Sequence, residues 1–226
     1  MNDEIPEVVI LRLPLYARVL DYLASQGVQV ASSQALGNML QATPAQIRKD
    51  LSYFGRFGKQ GRGYNVSYLL GEIRQILGLD HTWYMAVVGA GQLGTAIVNY
   101  AGFADQGFKI VAAFDSDNRK QGETVGGVIV KSMAEIKDNV ARLKIDIGIV
   151  AVPASQGQTV TDILVESGVK GILNYAPFQA RVPEGVWVRD IDPVVALQSM
   201  TYHLKAIKSK VGERAAPPAG LETVAN

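Results

Sequence analysis

Three glycines in the middle of the chain have the spacing of a phosphate-binding loop: Gly89, Gly91 and Gly94. An apolar segment, residues 84–88, precedes them, and an apolar helical segment follows them. In this strand–turn–helix setting the first glycine permits a tight turn, the second lets the backbone approach a pyrophosphate, and the third allows the helix to pack closely on the strand. The loop, with Gln92 and Leu93 at the start of the helix, is therefore predicted to bind the diphosphate of a dinucleotide.

Asp115 ends the second strand predicted in this region, about 20 positions after the last glycine, where such folds place an acidic residue. Its carboxylate is expected to accept hydrogen bonds from the adenosine ribose and to repel a ribose 2′-phosphate. NAD(H) is therefore favoured as the cofactor over NADP(H). The neighbouring bases Arg119 and Lys120 leave open whether NADP(H) also binds.

Two loops after later predicted strands are expected to hold the nicotinamide ring. Their residues are Val152 and Pro153 in the first loop and Asn174, Tyr175 and Pro177 in the second. Ligands of open parallel sheets bind beyond the carboxyl ends of the strands, so both loops lie on the correct side. Because the loops are largely apolar, and the ring is cationic in NAD⁺ but neutral in NADH, such a pocket is expected to prefer NADH.

The segment 44–64 is predicted to contact DNA, because it contains five basic residues and a single acidic residue, Asp50. A capping box formed by Thr43, Pro44 and Gln46 begins the last of three short helices. A glycine-rich basic hairpin follows, which is the order of a winged helix-turn-helix. The predicted DNA contacts are Gln46, Arg48, Lys49, Ser52 and Tyr53 on the outward face of the helix, and Arg56, Lys59, Arg62 and Tyr64 on the hairpin.

The predicted fold class is α/β. An N-terminal winged helix-turn-helix domain with its linker is expected in residues 1–80, and a Rossmann-type parallel-sheet domain in 81–192. A C-terminal region, 193–211, contains a last helix predicted over 193–208, and the tail 212–226 is expected to lack fixed structure. The first helix of the chain is predicted over 13–26, and its inward residues are predicted to be Leu15, Val19, Tyr22 and Leu23.

The composition excludes several kinds of chemistry. With no cysteine and two histidines, the chain has no disulfide, thiol switch or thiolate zinc site, and no metal site is predicted. No apolar run approaches the ~18 residues of a membrane span, and the N-terminus is acidic, unlike a signal peptide. A cytoplasmic location without membrane contact is therefore expected.

No catalytic residue is predicted. A dehydrogenase needs a substrate pocket and a proton donor or acceptor near the nicotinamide, and little chain remains after the last predicted strand to build them. His81 lies in the linker, and His203 lies on the last helix. A non-enzymatic regulator is favoured, with an NAD-dependent dehydrogenase or a CoA-binding regulatory protein as the alternatives.

Ordered motifs along residues 10–208 resemble those of the Rex family of redox-sensing transcriptional repressors. The motifs are RLPLY (12–16), IRKDLSYFG (47–55), GRGYNV (61–66), the glycine loop, FD (114–115), VPA (152–154), GILNYAP (171–177) and LQSM (197–200). The resemblance implies a homodimer that binds an inverted-repeat operator in double-stranded DNA with NAD⁺ or no ligand, and releases it when NADH binds. It also implies that the last helix is exchanged between subunits.

A switch between the two domains is predicted from three further residues. Arg12, just ahead of the first predicted helix, and Asp192, just ahead of the last one, are predicted to form an ion pair that exists in only one state of the dimer. Tyr100, which follows the glycine loop, is assigned to the same switch.

Overall fold

The computed structural model describes residues 5–59 and 62–215, and the chain divides into two compact units. The first, the helical unit, comprises the chain up to Thr82 together with Gly102–Gly107. The second, the nucleotide unit, comprises Trp83–Ala101 and the chain from Phe108 onward. The boundary lies two residues beyond the predicted one, and the assignment of residues 102–107 to the helical unit was not predicted.

The helical unit is a small helical bundle with a three-stranded antiparallel sheet, whose strand order is β1-β3-β2. Its elements are α1 (Glu7–Ser25), β1 (Val30–Ala31), α2 (Ser33–Leu40), α3 (Pro44–Ser52), β2 (Gly58–Lys59), β3 (Gly63–Asn65) and α4 (Val66–Ile76). Strands β2 and β3 form the wing, and β1 pairs with the other edge of β3. This is the predicted winged helix-turn-helix.

Helix α1 differs from the prediction in both its start and its inward face. It begins at Glu7, six residues before the predicted start, and it buries Val9, Leu13, Tyr16 and Leu20. The prediction that Leu15 and Tyr22 point inward is wrong, because these side chains are 48% and 55% exposed. Val19 and Leu23 do pack against the core as predicted, so the predicted face overlaps the true one in part; apolar residues on two sides of the helix explain the error.

Side-chain caps set the starts of α2 and α3. Ser32 Oγ accepts a hydrogen bond from the backbone N–H of Ala35, and Thr43 Oγ1 accepts one from Gln46. Only this half of the predicted capping box forms, because the Gln46 side chain turns to Asp50 on its own helix. Helix α3 buries Ile47 and Leu51, so its opposite side faces outward.

The nucleotide unit is built on a seven-stranded sheet of order β10-β9-β8-β4-β5-β7-β6, parallel except for β6. Its strands are β4 (Trp83–Val88), β5 (Phe108–Asp115), β6 (Thr124–Val125), β7 (Val128–Ser132), β8 (Ile147–Val150), β9 (Gly171–Asn174) and β10 (Trp187–Asp190). Its helices are α5 (Gln92–Val98), α6 (Ile136–Leu143), α7 (Ala154–Glu166) and α8 (Pro193–Ala215). This is the predicted Rossmann-type sheet.

Two helices end at positions different from those predicted. Helix α5 ends at Val98, although its apolar pattern predicts a helix near 92–102, because the Asn99 side chain donates to the carbonyl oxygen of Thr95 and competes with the helical pattern. Helix α8 continues to Ala215, so the predicted tail is helical over residues 212–215, and its remainder, 216–226, lies outside the described residues. None of the helices in residues 5–59 and 62–215 combines the length and hydrophobicity needed to cross a bilayer.

Candidate functional site

The three loop glycines occupy three different environments. Gly89 has a φ of +99°, and a Cβ there would fall on the carbonyl oxygen of Ala151. A Cβ on Gly94 would overlap the carbonyl oxygen of Gly89, so only glycine lets α5 approach the loop this closely. A Cβ on Gly91 would meet nothing within 4 Å, which leaves its backbone open to a ligand.

Asp115, at the end of β5, ties the glycine loop to the next turn. Its Oδ2 accepts hydrogen bonds from the Ala90 N–H at 2.7 Å and from Lys120 Nζ at 3.0 Å, and its Oδ1 accepts one from the Asp117 N–H at 2.8 Å. Burial would raise the pKa of Asp115, but these three donors together lower it below its ordinary value. The carboxylate is therefore ionised at neutral pH, as an acceptor for ribose hydroxyls must be.

A cleft of about 340 Å³ opens beside the glycine loop. It is lined by Val88, Gly89, Gly91, Asp115, Ser116, Lys120, Met133, Ala151, Val152, Pro153, Gln156 and Val160. The predicted residues Gln92, Leu93, Gly94, Asn174, Tyr175 and Pro177 are not among its lining. Ser116, Met133 and Gln156 lie outside the sequence motifs and were not predicted; the fold brings them to the cleft.

Asn174 was predicted to bind the cofactor, but its side chain holds its own loop in place. Its Nδ2 donates to the carbonyl oxygen of Phe178 at 3.0 Å and to Asp190 Oδ1 at 2.8 Å, and its Oδ1 accepts from the Ala176 N–H at 3.0 Å. The residue is 1% exposed. In this structure Asn174 therefore positions the loop that carries Tyr175 and Pro177.

Replacement of Asn174 by alanine is expected to lower the free energy of unfolding of the nucleotide unit by about 1–3 kcal/mol, because buried partners lose their hydrogen bonds. Both tryptophans of the chain, Trp83 and Trp187, lie in strands of this unit, so urea unfolding followed by tryptophan fluorescence measures the effect. Asn118→Ala, which removes an exposed amide of the same unit, is the control. Equal stability of the two variants would contradict this role of Asn174.

The outward side of α3 carries the predicted DNA contacts. Arg48 and Lys49 are exposed, Arg48 Nη1 donates to Ser33 Oγ at 3.1 Å, and Ser52 donates to the carbonyl oxygen of Lys49 at 2.7 Å. Tyr53 directly follows the helix and is half-buried, Arg56 and Arg62 are exposed around the wing, and Lys59 lies in β2.

Two of the side chains that were predicted to contact DNA interact with other parts of the protein. Gln46 Nε2 donates to Asp50 Oδ1 at 2.6 Å, which uses part of the amide that was predicted to contact DNA. Tyr64 is 9% exposed and belongs to the hydrophobic core of the helical unit, so it supports the wing more than it faces outward. Burial raises the pKa of its hydroxyl.

Asp50, the single acidic residue of the basic segment, points into the helical unit and is fully buried. Arg12 donates to it through Nε at 2.6 Å and Nη2 at 2.8 Å, and Tyr16 donates through its hydroxyl. Burial would raise the pKa of Asp50, but the hydrogen bonds from Arg12, Tyr16 and Gln46 lower it below its usual range. Because Arg12 neutralises Asp50 internally, the outward positive charge of the segment is not offset by it.

The surface between α3 and the wing is concave. A cleft of about 600 Å³ is lined by Ser32, Ser33, Arg48, Leu51, Ser52, Gly55, Arg56, Phe57, Gly58, Gly63 and Tyr64. Two guanidinium groups and three serine hydroxyls at one concave face are groups that bind phosphate oxygens. Both the helix and the wing therefore contribute to one candidate nucleic-acid interface.

The residues of the predicted switch have other partners here. Arg12 lies within α1, not ahead of it, and its guanidinium is bound to Asp50. Asp192 Oδ1 accepts a hydrogen bond from the Val194 N–H at the start of α8, at 2.8 Å. Tyr100 follows α5 and is 61% exposed. The Arg12–Asp192 pair stays a prediction for another state of the protein.

One chain therefore contains two units. The first is a winged helical unit with a basic concave face, and the second is a Rossmann-type unit with a glycine loop and an aspartate, Asp115, at the end of β5. Among the residues that the structure describes, no group of three or more histidine, aspartate or glutamate side chains could hold a metal ion. This combination defines a nucleotide-responsive DNA-binding protein.

Comparison with known proteins agrees with this class. A family described as "Putative DNA-binding protein N-terminus" matches residues 4–52, and one described as "CoA binding domain" matches residues 80–178. The redox-sensing transcriptional repressor Rex of Chloroflexus aurantiacus is 55% identical over 203 residues, which cover 90% of this chain and 96% of that protein. The Rex protein of Roseiflexus is 55% identical over 202 residues, covering 89% of this chain and 92% of that protein.

Solved structures extend the likeness to three dimensions. The crystal structure of RSP in complex with NAD⁺ and operator DNA has a TM-score of 0.87 and 38% identity, and covers 94% of this chain and 99% of that one. The structure of RSP in complex with NADH has a TM-score of 0.82 and 36% identity, covering 93% and 98%. The chain belongs to the Rex family of redox-sensing transcriptional repressors.

Proposed function

We propose that this chain is a transcriptional repressor that senses the NADH/NAD⁺ ratio: as a homodimer it binds an inverted-repeat operator with NAD⁺ or no ligand, and it releases the operator when NADH binds. The observation that carries this proposal is the likeness, over 94% of the chain, to a protein crystallised with both NAD⁺ and operator DNA. A repressor acts where the chromosome lies, so we propose a cytoplasmic location.

Discrimination between the two redox forms follows from charge. The nicotinamide ring is cationic in NAD⁺ and neutral in NADH, and placing a cation against apolar side chains such as Val152 and Pro153 costs several kcal/mol. Each ~1.4 kcal/mol corresponds to a tenfold difference in affinity, so an apolar ring site prefers NADH by orders of magnitude. No proton transfer or bond formation is required, which supports a sensor rather than an enzyme.

NADH binding affects DNA binding by changing the relative populations of two dimer arrangements. In one arrangement, two copies of α3 match half-sites one helical turn apart, and in the other they do not. NADH shifts the balance only by its differential affinity for the second arrangement, and a hundredfold preference supplies ~2.7 kcal/mol.

A gel-shift titration on a promoter with an inverted repeat tests the proposal, with NAD⁺, NADH and CoA added separately. NADH should release the DNA, and NAD⁺ and CoA should leave it bound. Release of the DNA by CoA alone would favour the CoA-binding alternative. That alternative is tested because residues 80–178 match a family described as "CoA binding domain". NADH oxidation with carbonyl substrates, without operator preference, would favour a dehydrogenase.

Lys49→Ala is expected to weaken operator binding at least about 30-fold, because a side-chain contact worth ~1–3 kcal/mol is lost in each of two half-sites. NADH affinity, measured by direct titration, should stay unchanged. Lys137→Ala, which removes an exposed lysine from α6, is the matched control and should not alter DNA binding. Unchanged operator affinity in Lys49→Ala would remove Lys49 from the interface, whereas loss of both DNA and NADH binding would indicate misfolding.

A further inference from the structure

The carboxylate at the end of β5 is almost fully occupied by the protein's own donors. A carboxylate offers about four acceptor positions, and the Asp115 carboxylate already receives three hydrogen bonds, from Ala90, Asp117 and Lys120. A ribose diol would donate two. One of the three internal donors must therefore leave before both hydroxyls can bind.

Lys120 is the donor that can leave. The other two are backbone N–H groups of the glycine loop and of the turn after β5, which cannot move without unfolding those turns. The Lys120 ammonium stands on a flexible four-carbon stem, its side chain is 33% exposed, and it lies in the lining of the cleft. In this structure its Nζ therefore occupies a position at Oδ2 that a ribose hydroxyl needs.

The charges around this position are balanced in pairs. Lys120 pairs with Asp115, and Arg119 pairs with Asp117 through Nη2 at 2.7 Å. Arg119 lowers the pKa of Asp117 to about 2, but the Arg119 side chain is 90% exposed. Of the two bases, Lys120 is the one held at the ribose-binding carboxylate.

We propose that Lys120 sets how strongly the site discriminates between NAD(H) and dinucleotides with a ribose 2′-phosphate. This inference rests on the proposed function, because it assumes that the adenosine ribose binds at Asp115. When the ribose displaces it, the Lys120 ammonium becomes a cation beside the 2′ position. It then attracts a 2′-phosphate that Asp115 repels, so the two side chains act against each other.

Direct titration of NADH and NADPH against four proteins tests this: wild type, Asp115→Asn, Lys120→Met and the double variant. Asp115→Asn should bind NADH about tenfold more weakly and NADPH about tenfold more tightly. Lys120→Met should weaken NADPH binding about tenfold and should strengthen NADH binding, because the ribose no longer has to displace the ammonium from Oδ2. In the double variant the tenfold gain in NADPH affinity should disappear, because the cation that attracts the 2′-phosphate is gone and the two single effects cancel.

Arg119→Met is the matched control, because it removes a neighbouring base that is not bound to Asp115, and it should change either affinity less than about threefold. Asp115→Ser replaces Asp115→Asn if the latter has a lowered melting temperature. If Lys120→Met leaves NADPH affinity unchanged in the Asp115→Asn protein, the inference is overturned. If the wild type binds neither dinucleotide, the proposed function fails instead, so the two failures are distinguishable.

Discussion

Replacement of Asp50 by alanine is expected to lower the free energy of unfolding of the helical unit by about 3–5 kcal/mol. The carboxylate is fully buried and accepts hydrogen bonds from Arg12 and Tyr16 of α1 and from Gln46 of α3. Its removal leaves a guanidinium and a buried hydroxyl without their acceptor. Hydrogen–deuterium exchange of peptides from residues 7–25 and 44–54 should show faster exchange, and operator affinity should fall as α3 loses its fixed orientation.

The same carboxylate makes the stability of the helical unit dependent on pH. Because the pKa of Asp50 is lower in the folded protein than its unfolded value of ~3.9, its stabilisation is fully present at neutral pH and is lost as the pH falls through the folded pKa. The wild-type protein should therefore lose stability in acid, and the Asp50→Ala protein should lose less.

A surface ion pair serves as the comparison for Asp50. Asp21 pairs with Arg74 at 3.2 Å, and both side chains are exposed, so Asp21→Ala should cost less than about 1 kcal/mol. Tyr16→Phe, which removes one of the donors and keeps the ring, should cost an intermediate amount of about 1–3 kcal/mol. If Asp50→Ala were no less stable than Asp21→Ala, the buried network would not stabilise the unit.

Replacement of Gly94 by alanine is expected to weaken dinucleotide binding strongly and to destabilise the nucleotide unit. A Cβ at this position overlaps the carbonyl oxygen of Gly89, which is backbone and cannot turn aside, so α5 must move away from the loop. Such overpacking costs about 1–3 kcal/mol of stability, and a displaced binding loop lowers NADH affinity by roughly 100-fold. Tryptophan fluorescence in urea and direct NADH titration measure the two effects.

Gly91→Ala separates the effect on binding from the effect on folding. Its Cβ meets no protein atom within 4 Å, so the melting temperature should not change, yet the methyl group stands where the pyrophosphate must approach. NADH affinity should fall in both variants and stability only in Gly94→Ala. Wild-type NADH affinity in Gly94→Ala would show that the loop does not bind the diphosphate.

Features that depend on local sequence were predictable. The glycine loop, the strands around it and the cap at Thr43 involve residues a few positions apart, so composition and spacing were sufficient. Asp50 illustrates the opposite case. In the sequence it is one acidic residue among bases, and its burial depends on Arg12, which lies 38 positions away on a different helix.

Helix α1 and Asn174 show two further limits. Apolar residues on both sides of α1 made its inward side undecidable from periodicity, and the choice depends on the packing of α1 against α4 and α2. Asn174 lies at a strand end, where an asparagine can either contact a ligand or stabilise a loop, and the sequence does not distinguish the two roles. The hydrogen bonds to Phe178, Asp190 and Ala176 became visible only with the loop folded.

Both tryptophans of the chain lie in the nucleotide unit, Trp83 in β4 and Trp187 in β10. This location has a practical consequence for redox measurements. The dihydronicotinamide chromophore absorbs light at the wavelengths where indole emits, and the oxidised ring does not. Resonance energy transfer should therefore dim the intrinsic emission when NADH binds and leave it bright with NAD⁺. An unlabelled sample would then report competition between the two coenzyme forms in real time.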